Sequence, residues 1–331
     1  MQKIRKWLRE NIFFITFIIL TFVICNIKLP YYIMAPGGVI NIDDRISLEN
    51  KNETKGTLDL LYVSEYNATI ASTMLSFIFR DWDLNKIEDI QLSDESVAEI
   101  DVRNRVMLEN SRQNAILVAY KKAGKDIKMN GKKNVVIATT EDNNLKIGDV
   151  ILSVGGINID NTSQLRTIIN NANVGDELNL KILRDNEELD VTSKVTLDDG
   201  NKVIGIVMVT NYDYELDPDI KISFKDSEGG SSGGLMIALN IYNALVEDDI
   251  TYSHRIAGTG TIDVDGNVGE IDGVKYKVMG AYKNKMELVF VPKENYEEAI
   301  NVVKERRYNM EVVGVATFDE ALEYLQTKYG K

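Results

Sequence analysis

The hydrophobic pattern of this chain is dominated by one apolar run near the N-terminus. Residues 12–27 read IFFITFIILTFVICNI, and the stretch from Trp7 to Leu29 comprises 23 residues. As a helix with a rise of ~1.5 Å per residue, this stretch spans roughly 35 Å, which is enough to cross a lipid bilayer with some tilt. Four basic residues precede the run. The positive-inside tendency therefore predicts a cytoplasmic N-terminus and an extracytoplasmic location for the bulk of the chain.

A cleaved signal peptide is the alternative interpretation of the apolar run. No A-x-A cleavage site follows the run, and Cys25 is preceded by Ile24 rather than by the small residue that a lipidation site requires. The pattern therefore favours an uncleaved anchor, with residues 1–30 forming a cytoplasmic stub and a single transmembrane helix.

Short strands and helices alternate beyond Pro36-Gly37-Gly38, which separate the anchor from the rest. Residues 31–110 are predicted to form a membrane-proximal mixed region, with helices over 68–79 and 94–123. The apolar residues between Met74 and Trp82 are predicted to pack on the next domain, with contact to the membrane as the alternative.

Residues 111–198 have the pattern of a second unit, and residues 199–331 that of a third. In the second unit, Leu178, Leu180 and Ile182 alternate as in a half-buried strand. In the third unit, the spacing predicts an apolar-periodic helix over 233–245 among several strands. Strands and helices mixed in this way indicate an α+β fold class.

Composition narrows the range of functions. The 331-residue chain has a formal net charge of −13, so nucleic-acid binding finds no electrostatic support. The single cysteine, Cys25, excludes an internal disulfide. The single histidine, His254, is the only residue on which a Ser-His-Asp arrangement could depend, and we expect it to be structural or exposed.

A glycine-rich turn before the predicted helix carries the strongest candidate for chemistry. Residues 228–234 read EGGSSGG, and the motif GVKYK follows at residues 273–277. A serine hydroxyl needs a base to take its proton near neutral pH, and a lysine serves if burial lowers its pKa. In isolation such a run is more typical of a flexible loop, but the apolar elements on both sides favour a nucleophile turn.

These motifs resemble the proteolytic domain of Lon-type serine proteases, which use a Ser-Lys dyad. The family pattern D-G-P-S-A-G corresponds to residues 228–233, the strand T-G-E-I-T to residues 259–263, and the segment G-G-L-K-x-K to residues 272–277. The proline and alanine of the first motif are replaced here by Gly230 and Ser232. The resemblance covers residues 226–292 with the three motifs in the same order.

The resemblance implies a role for each matching residue. Ser231 is expected to be the nucleophile, with Ser232 as the alternative, and Lys275 is expected to be its base. Thr259 is expected to hold the lysine amine by a hydrogen bond. Backbone N–H groups around Gly230 and Ser232 are expected to form the oxyanion hole. Lys277, two residues after Lys275, is expected to face elsewhere on the helix.

A second resemblance is to bacterial PDZ domains, carried by LKIGDVILSVGG at residues 145–156 and by the capped helix that begins at Asn161. It implies capture of a substrate or partner peptide by strand addition, and residues 135–140 are expected to lie nearest the peptide groove. A PDZ domain without a ligand is the alternative. Its ligand and the physiological substrate cannot be read from the sequence.

The order of anchor, PDZ domain and Lon-like domain resembles bacterial membrane-anchored proteases. That resemblance implies an ATP-independent endopeptidase without cofactor or metal, since the chain contains no G-x-x-x-x-G-K-[ST] loop. It also implies unfolded or membrane-adjacent protein substrates and a homo-oligomeric ring. The alternatives are a membrane-tethered scaffold that has lost proteolytic activity and an enzyme that cleaves itself or one dedicated partner.

Overall fold

The computed structural model describes residues 2–49, 51, 53–89, 91, 95–140 and 143–330. The helices are α1 (Gln2–Glu10), α2 (Ile12–Cys25), α3 (Ile70–Ser76), α4 (Val97–Ala123), α5 (Thr162–Asn171), α6 (Gly234–Leu245), α7 (Val274–Lys283), α8 (Tyr296–Arg306) and α9 (Phe318–Tyr329). The strands are β1 (Lys28–Asn41), β2 (Ile46–Leu48), β3 (Thr57–Thr69), β4 (Asp83–Lys86), β5 (Asp126–Thr139), β6 (Val150–Val154), β7 (Ile157–Asn158), β8 (Glu177–Arg184), β9 (Glu187–Lys194), β10 (Thr196–Asp198), β11 (Asn201–Val203), β12 (Ile206–Asp217), β13 (Ile220–Ile222), β14 (Arg255–Gly258), β15 (Thr261–Ile262), β16 (Val268–Gly269), β17 (Leu288–Pro292) and β18 (Glu311–Val315).

The predicted span from Trp7 to Leu29 is not one helix, because it is divided between α1 and α2 and ends in β1. Between α1 and α2 the axis bends by 69° at Asn11, whose side-chain amide donates a hydrogen bond to the carbonyl of Trp7. Such side-chain bonds to nearby backbone compete with the regular helical ladder. Within the described residues no single helix has the length and apolarity to cross a membrane. Together the bent pair meets both criteria.

Six strands form the main sheet, in the order β18-β17-β14-β3-β1-β4. Strand β14 pairs in parallel with both β17 and β3, and β1 lies antiparallel between β3 and β4. Strands from the predicted membrane-proximal region, residues 31–110, and from the predicted domain at 199–331 therefore share one sheet and one fold. The five residues of β17 are all buried, as expected for a parallel strand covered on both faces.

The two faces of this sheet are covered by different helices. Helices α4, α6 and α9 enclose one apolar core, which includes Leu58, Leu235 and Phe290. On the other face, α7 and α8 enclose a second core around Leu61, Val278 and Val289. The serine turn lies where α6 begins, near the carboxyl end of β14, and the candidate lysines lie near the start of α7 on the opposite face.

The longest helix, α4, joins the first strands to the rest and extends through the predicted boundary at residue 110. It begins with a capping box between Ser96 and Glu99, which satisfies free N–H groups of the first turn, and it ends at Gly124 with φ +64°. It packs along α6, so it brings its side chains beside the serine turn.

The second sheet has the order β12-β5-β6-β8-β9 and is covered by α5. Its own core includes Leu165, Leu180 and Ile182, so two of the three residues that alternate in the sequence are buried. The long strands β5 and β12 pair over their whole length, from Thr139 with Ile206 to Asp126 with Asp217. This ribbon connects the second sheet to α4 and to the main fold.

Candidate active site

Ser231 lies on a turn that directly precedes α6. Gly230 adopts φ +89°, a left-handed conformation that glycine tolerates and that a proline ring cannot reach. The N–H of Gly230 donates to the carbonyl of Asn104 on α4, at 2.8 Å. Within the described residues, the N–H groups of Ser231 and Ser232 donate no hydrogen bond. The turn thus presents two adjacent free amides next to the Ser231 side chain.

Two hydroxyls orient the carbonyls of this turn. Ser111 Oγ on α4 donates to the carbonyl of Ser231 at 2.9 Å, and Thr259 Oγ1 donates to the carbonyl of Ser232 at 3.0 Å. The N–H of Gly260 also donates to the Ser232 carbonyl, at 2.7 Å. Because a peptide unit is planar and trans, fixing the Ser231 carbonyl also fixes the opposite direction of the Ser232 N–H.

An ion pair holds the start of the same turn. The guanidinium of Arg45 binds both carboxylate oxygens of Glu228, and Arg45 Nη2 lies 2.8 Å from Glu228 Oε1. The Lys225 N–H also donates to this carboxylate. Partial burial raises the pKa of Glu228, but these hydrogen bonds outweigh it and the pKa lies below its ordinary value. Sequence reasoning assigned Glu228 no role, and Arg45 was not singled out.

Thr259 lies against the serine turn, and its hydroxyl binds that turn instead of a lysine. It is completely buried just after β14. The expected hydrogen bond from Thr259 to Lys275 is not formed, since the Thr259 hydroxyl donates to Ser232.

Lys275 lies near the start of α7 with its amine bound elsewhere. Its Nζ lies 2.7 Å from Asp83 Oδ2, and the Tyr276 hydroxyl binds the same carboxylate. Burial raises the pKa of Asp83, but the bonds from Lys275 and Tyr276 outweigh it and lower the pKa. The Lys275 side chain is 36% exposed.

Lys277, which was expected to face elsewhere, is the buried lysine of this helix. Only 3% of its surface is exposed. Burial lowers the pKa of Lys277 from 10.5 to about 8, although the carboxylates of Glu65 and Asp272 act in the opposite direction. Its ammonium forms no hydrogen bond or ion pair with the residues that the structure describes. A signal for this burial exists in the sequence, because Val274, Gly280 and Ala281 share its helical face at spacings of three and four.

A cavity of about 370 Å³ opens beside the nucleophile turn. Ser231 lines it together with residues of α4, β12 and the β15–β16 hairpin. The cavity is also lined by Ser111, Asn114, Val209 and Thr261. Asn114 Nδ2 donates to the carbonyl of Ile262 at 3.0 Å, which fixes the hairpin to α4. The cavity is therefore shaped by α4, by β12 of the second sheet and by the β15–β16 hairpin.

His254 is remote from the serine turn. It lies just before β14, at the end opposite Thr259, where Nδ1 contacts Glu287 Oε2 at 2.7 Å. Its ring stacks on Tyr329 with centroids 3.9 Å apart. These contacts agree with the expectation that His254 is structural.

The expected peptide-groove segment, residues 135–140, lies mainly on an inner strand. Strand β5 is paired with β12 on one side and with β6 on the other, so it has no continuous open edge. The outer strand is β12, which pairs only with β5 among the described strands and which α5 approaches. Val207 on β12 is exposed. Strand addition on this side of the sheet would therefore extend β12, and the expected position of residues 135–140 nearest a peptide groove stays a prediction.

Comparison with known proteins identifies both units. The family described as the Lon protease (S16) C-terminal proteolytic domain matches residues 222–328, and the PDZ domain family matches residues 105–195. The chain is 33% identical to the Lon protease of Campylobacter jejuni over 138 residues, covering 40% of this chain and 17% of that protein. It is 32% identical to the Lon protease of Helicobacter pylori over 148 residues, covering 44% of this chain and 17% of that protein.

The chain therefore spans less than a fifth of the length of these Lon relatives. Among solved structures, the PDZ domain of an SdrC-like protein from Listeria monocytogenes is similar at 22% identity. That similarity covers 25% of this chain and 93% of that one, with a TM-score of 0.23.

The two family matches confirm that the chain carries a PDZ domain and a Lon-type proteolytic domain. The Lon-type match includes Ser231, Thr259, Lys275 and Lys277.

Proposed function

We propose that this chain is an ATP-independent serine endopeptidase in which Ser231 is the nucleophile and Lys277, instead of the expected Lys275, is the base. The observation that carries the proposal is the buried lysine. Within the Lon-type match, Lys277 is 3% exposed and free of carboxylate contacts among the described residues, whereas Lys275 is bound by Asp83. A desolvated amine loses its proton more readily than an ion-paired one.

The reaction runs through an acyl-enzyme. Neutral Lys277 accepts the proton of the Ser231 hydroxyl as its oxygen bonds to the substrate carbonyl carbon. The resulting ammonium returns a proton to the leaving amine as the peptide bond breaks. A water molecule then attacks the ester, and Lys277 again takes and returns a proton. The serine–carbonyl bond formed in the first step replaces the peptide C–N bond, and the water–carbonyl bond formed in the second step replaces the serine ester bond.

The free amides of Ser231 and Ser232 supply the oxyanion donors in this scheme. The Gly230 N–H, which was expected to take part, is bound to the Asn104 carbonyl. Ser111 and Thr259 then act as positioning residues, because their hydroxyls hold the carbonyls of the turn. Donors fixed before the reaction stabilise the developing charge without reorganisation.

The PDZ unit captures substrate or partner peptides along the edge of β12 around Val207 in this proposal, since farther along that edge α4 side chains bind the Thr210 carbonyl and the Tyr212 N–H. Val209 on β12 also lines the cavity at Ser231, so a peptide on this edge lies close to the nucleophile. The α1–α2 pair anchors the protein in the bacterial cell membrane, with the catalytic unit outside. The substrates are unfolded or membrane-adjacent proteins, since the chain contains no phosphate-binding loop for an unfolding ATPase.

Cleavage of an unstructured test protein by the full chain tests the proposal, with Lys277→Met and Lys275→Met as a matched pair. We expect Ser231→Ala and Lys277→Met each to lower kcat/KM by about 10²–10⁴-fold, and Lys275→Met to retain most of the activity. Loss in Lys275→Met with retention in Lys277→Met would return the base to Lys275. Full activity of Ser231→Ala, lost in Ser232→Ala, would move the nucleophile to Ser232. Peptide binding without cleavage by the unaltered chain would favour the scaffold.

A further inference from the structure

We propose that the segment from α3 to Trp82, called here the α3 tip (residues 70–82), inserts into the lipid bilayer beside α2 as a second membrane contact. This inference depends on the proposed membrane anchor. It adds a surface that the anchor does not require, and it places the catalytic unit at a fixed orientation against the membrane.

The α3 tip exposes a contiguous apolar surface. Its five outward side chains are exposed by between 41% and 83%. They are Met74, Leu75, Phe77, Ile78 and Phe79. Residues 70–79 read IASTMLSFIF and contain no charge. Soluble proteins rarely leave so many large apolar side chains together in water, which marks the tip as a contact surface.

The position of the tip selects lipid as its occupant. The Ile70 N–H, at the start of α3, donates to the Ile27 carbonyl at 3.2 Å, two residues after α2 ends. Lys28 of β1 is in register with Thr69 of β3 at the same level. Helix α2 itself has no buried residue, so its whole apolar surface is open to its surroundings. A bilayer around α2 would reach the level at which α3 begins.

The protein side of the tip is tightly held. A capping box between Thr69 and Ser72 starts α3, and Trp82 packs on Phe79 with ring centroids 4.9 Å apart. Asp81 forms an ion pair with Arg306 on α8. These contacts fix the base of the tip and leave the side chains from Met74 to Phe79 pointing outward. Amphipathic segments of this kind seat their apolar face roughly 5–10 Å into the boundary of headgroups and acyl chains.

Site-specific fluorescence on the full chain in vesicles tests the proposal. Cys25→Ser removes the only cysteine, and Phe77→Cys or Ile78→Cys then carries an environment-sensitive NBD label. Leu197→Cys and Ile157→Cys on the PDZ unit are matched controls, because each wild-type residue is 59% exposed. The vesicles contain phosphatidylcholine and phosphatidylglycerol, with a nitroxide placed either near the headgroup or at the chain end.

We expect labels at positions 77 and 78 to be shielded from aqueous iodide and to lose about half of their emission to the shallow nitroxide, as a seat near the headgroup boundary requires. Labels at positions 157 and 197 should be quenched by aqueous iodide and unaffected by the shallow nitroxide. Co-flotation of the protein with the vesicles in a density gradient measures membrane binding as a whole. If the protein co-floats but the tip labels are quenched by iodide, the second contact is excluded and the proposed anchor is retained. If those labels are shielded from iodide and unaffected by nitroxide, protein covers the tip and the proposal fails. If the chain does not float, both proposals fall together.

Discussion

The hydroxyl of Ser111 lies 2.9 Å from the carbonyl oxygen of Ser231 and donates a hydrogen bond to it. Ser111 belongs to α4, far from the nucleophile in sequence, and it is buried. We expect Ser111→Ala to lower kcat by about tenfold or more without a matching rise in KM, because the Ser232 amide loses its fixed direction in the oxyanion hole. Kinetics on a peptide substrate would measure this.

Ser111→Thr is the control, since it keeps the hydroxyl and adds one methyl group. Partial rescue by threonine supports the positioning role. An alanine variant with unchanged kcat would show that the turn holds its own orientation.

The rate should rise with pH as Lys277 loses its proton. The base works only when neutral, and its pKa is lowered by burial to about 8, so kcat/KM should increase through that pH and level off above it. Glu65→Gln removes a charge that raises the pKa of Lys277, so the rise should move to lower pH. A pH–rate profile of both proteins checks the direction. A profile that falls across this range, or a Glu65→Gln shift towards higher pH, would contradict the assignment.

Lys277→Met should abolish activity and yet stabilise the fold. The folded chain holds this lysine with a pKa of about 8, against 10.5 in the unfolded state, so keeping it charged in the fold costs about 3 kcal/mol below pH 8. That cost declines as pH rises from 8 to 10.5, where only the unfolded state still binds the proton. Denaturant unfolding at pH 7 and pH 10 measures the difference between the two proteins.

Lys275→Met supplies the comparison for stability. Its side chain is partly exposed and paired with Asp83, so the substitution should change the free energy of unfolding little. A stabilisation seen in Lys275→Met and absent in Lys277→Met would reverse our view of which amine is desolvated.

Removing the Arg45 side chain should disorganise the serine turn from a distance. Arg45→Met leaves the carboxylate of Glu228 partly buried without its guanidinium, which typically costs on the order of 1–3 kcal/mol and displaces the turn. We expect a fall in kcat larger than the change in KM. A double-mutant cycle with Glu228→Gln isolates the pair, since the two single effects should be far from additive. Additive effects would mean that the two residues act independently.

The peptide edge on β12 predicts a binding phenotype separate from catalysis. Val207→Asp places a charge on the exposed apolar edge, so KM should rise for substrates that the PDZ unit captures while kcat stays nearly constant. Leu197→Asp, at an exposed site on the neighbouring β10, should leave both constants unchanged. A drop in kcat without a rise in KM would argue against peptide capture on this strand.

Local patterns were sufficient for the elements that carry the serine. The apolar spacing after the glycines predicts α6, which the structure confirms over Gly234–Leu245. The alternation in β8 likewise predicts which side chains enter the core of the second sheet. In each case, the information lies within one element or between adjacent motifs.

These local patterns do not predict which strands pair when they are far apart in the sequence. Nothing in residues 57–69 indicates that β3 pairs with β14, which lies almost two hundred positions later. The same limit explains the two lysines. They are separated by little more than half a helical turn, so they point to different sides of α7. Val274, Gly280 and Ala281 mark the side of Lys277 in the sequence, but the packing of β1 and β3 against α7 is what buries it.

The β5–β12 ribbon makes the PDZ unit an insertion that can be exchanged. Asp126 and Asp217 are direct neighbours across two strands, although 90 residues of chain form the excursion between them. The chain therefore enters and leaves the PDZ unit at one position. A different binding domain inserted between these two positions would leave the main fold unchanged. Ligand specificity could therefore be exchanged without altering the residues of the serine turn.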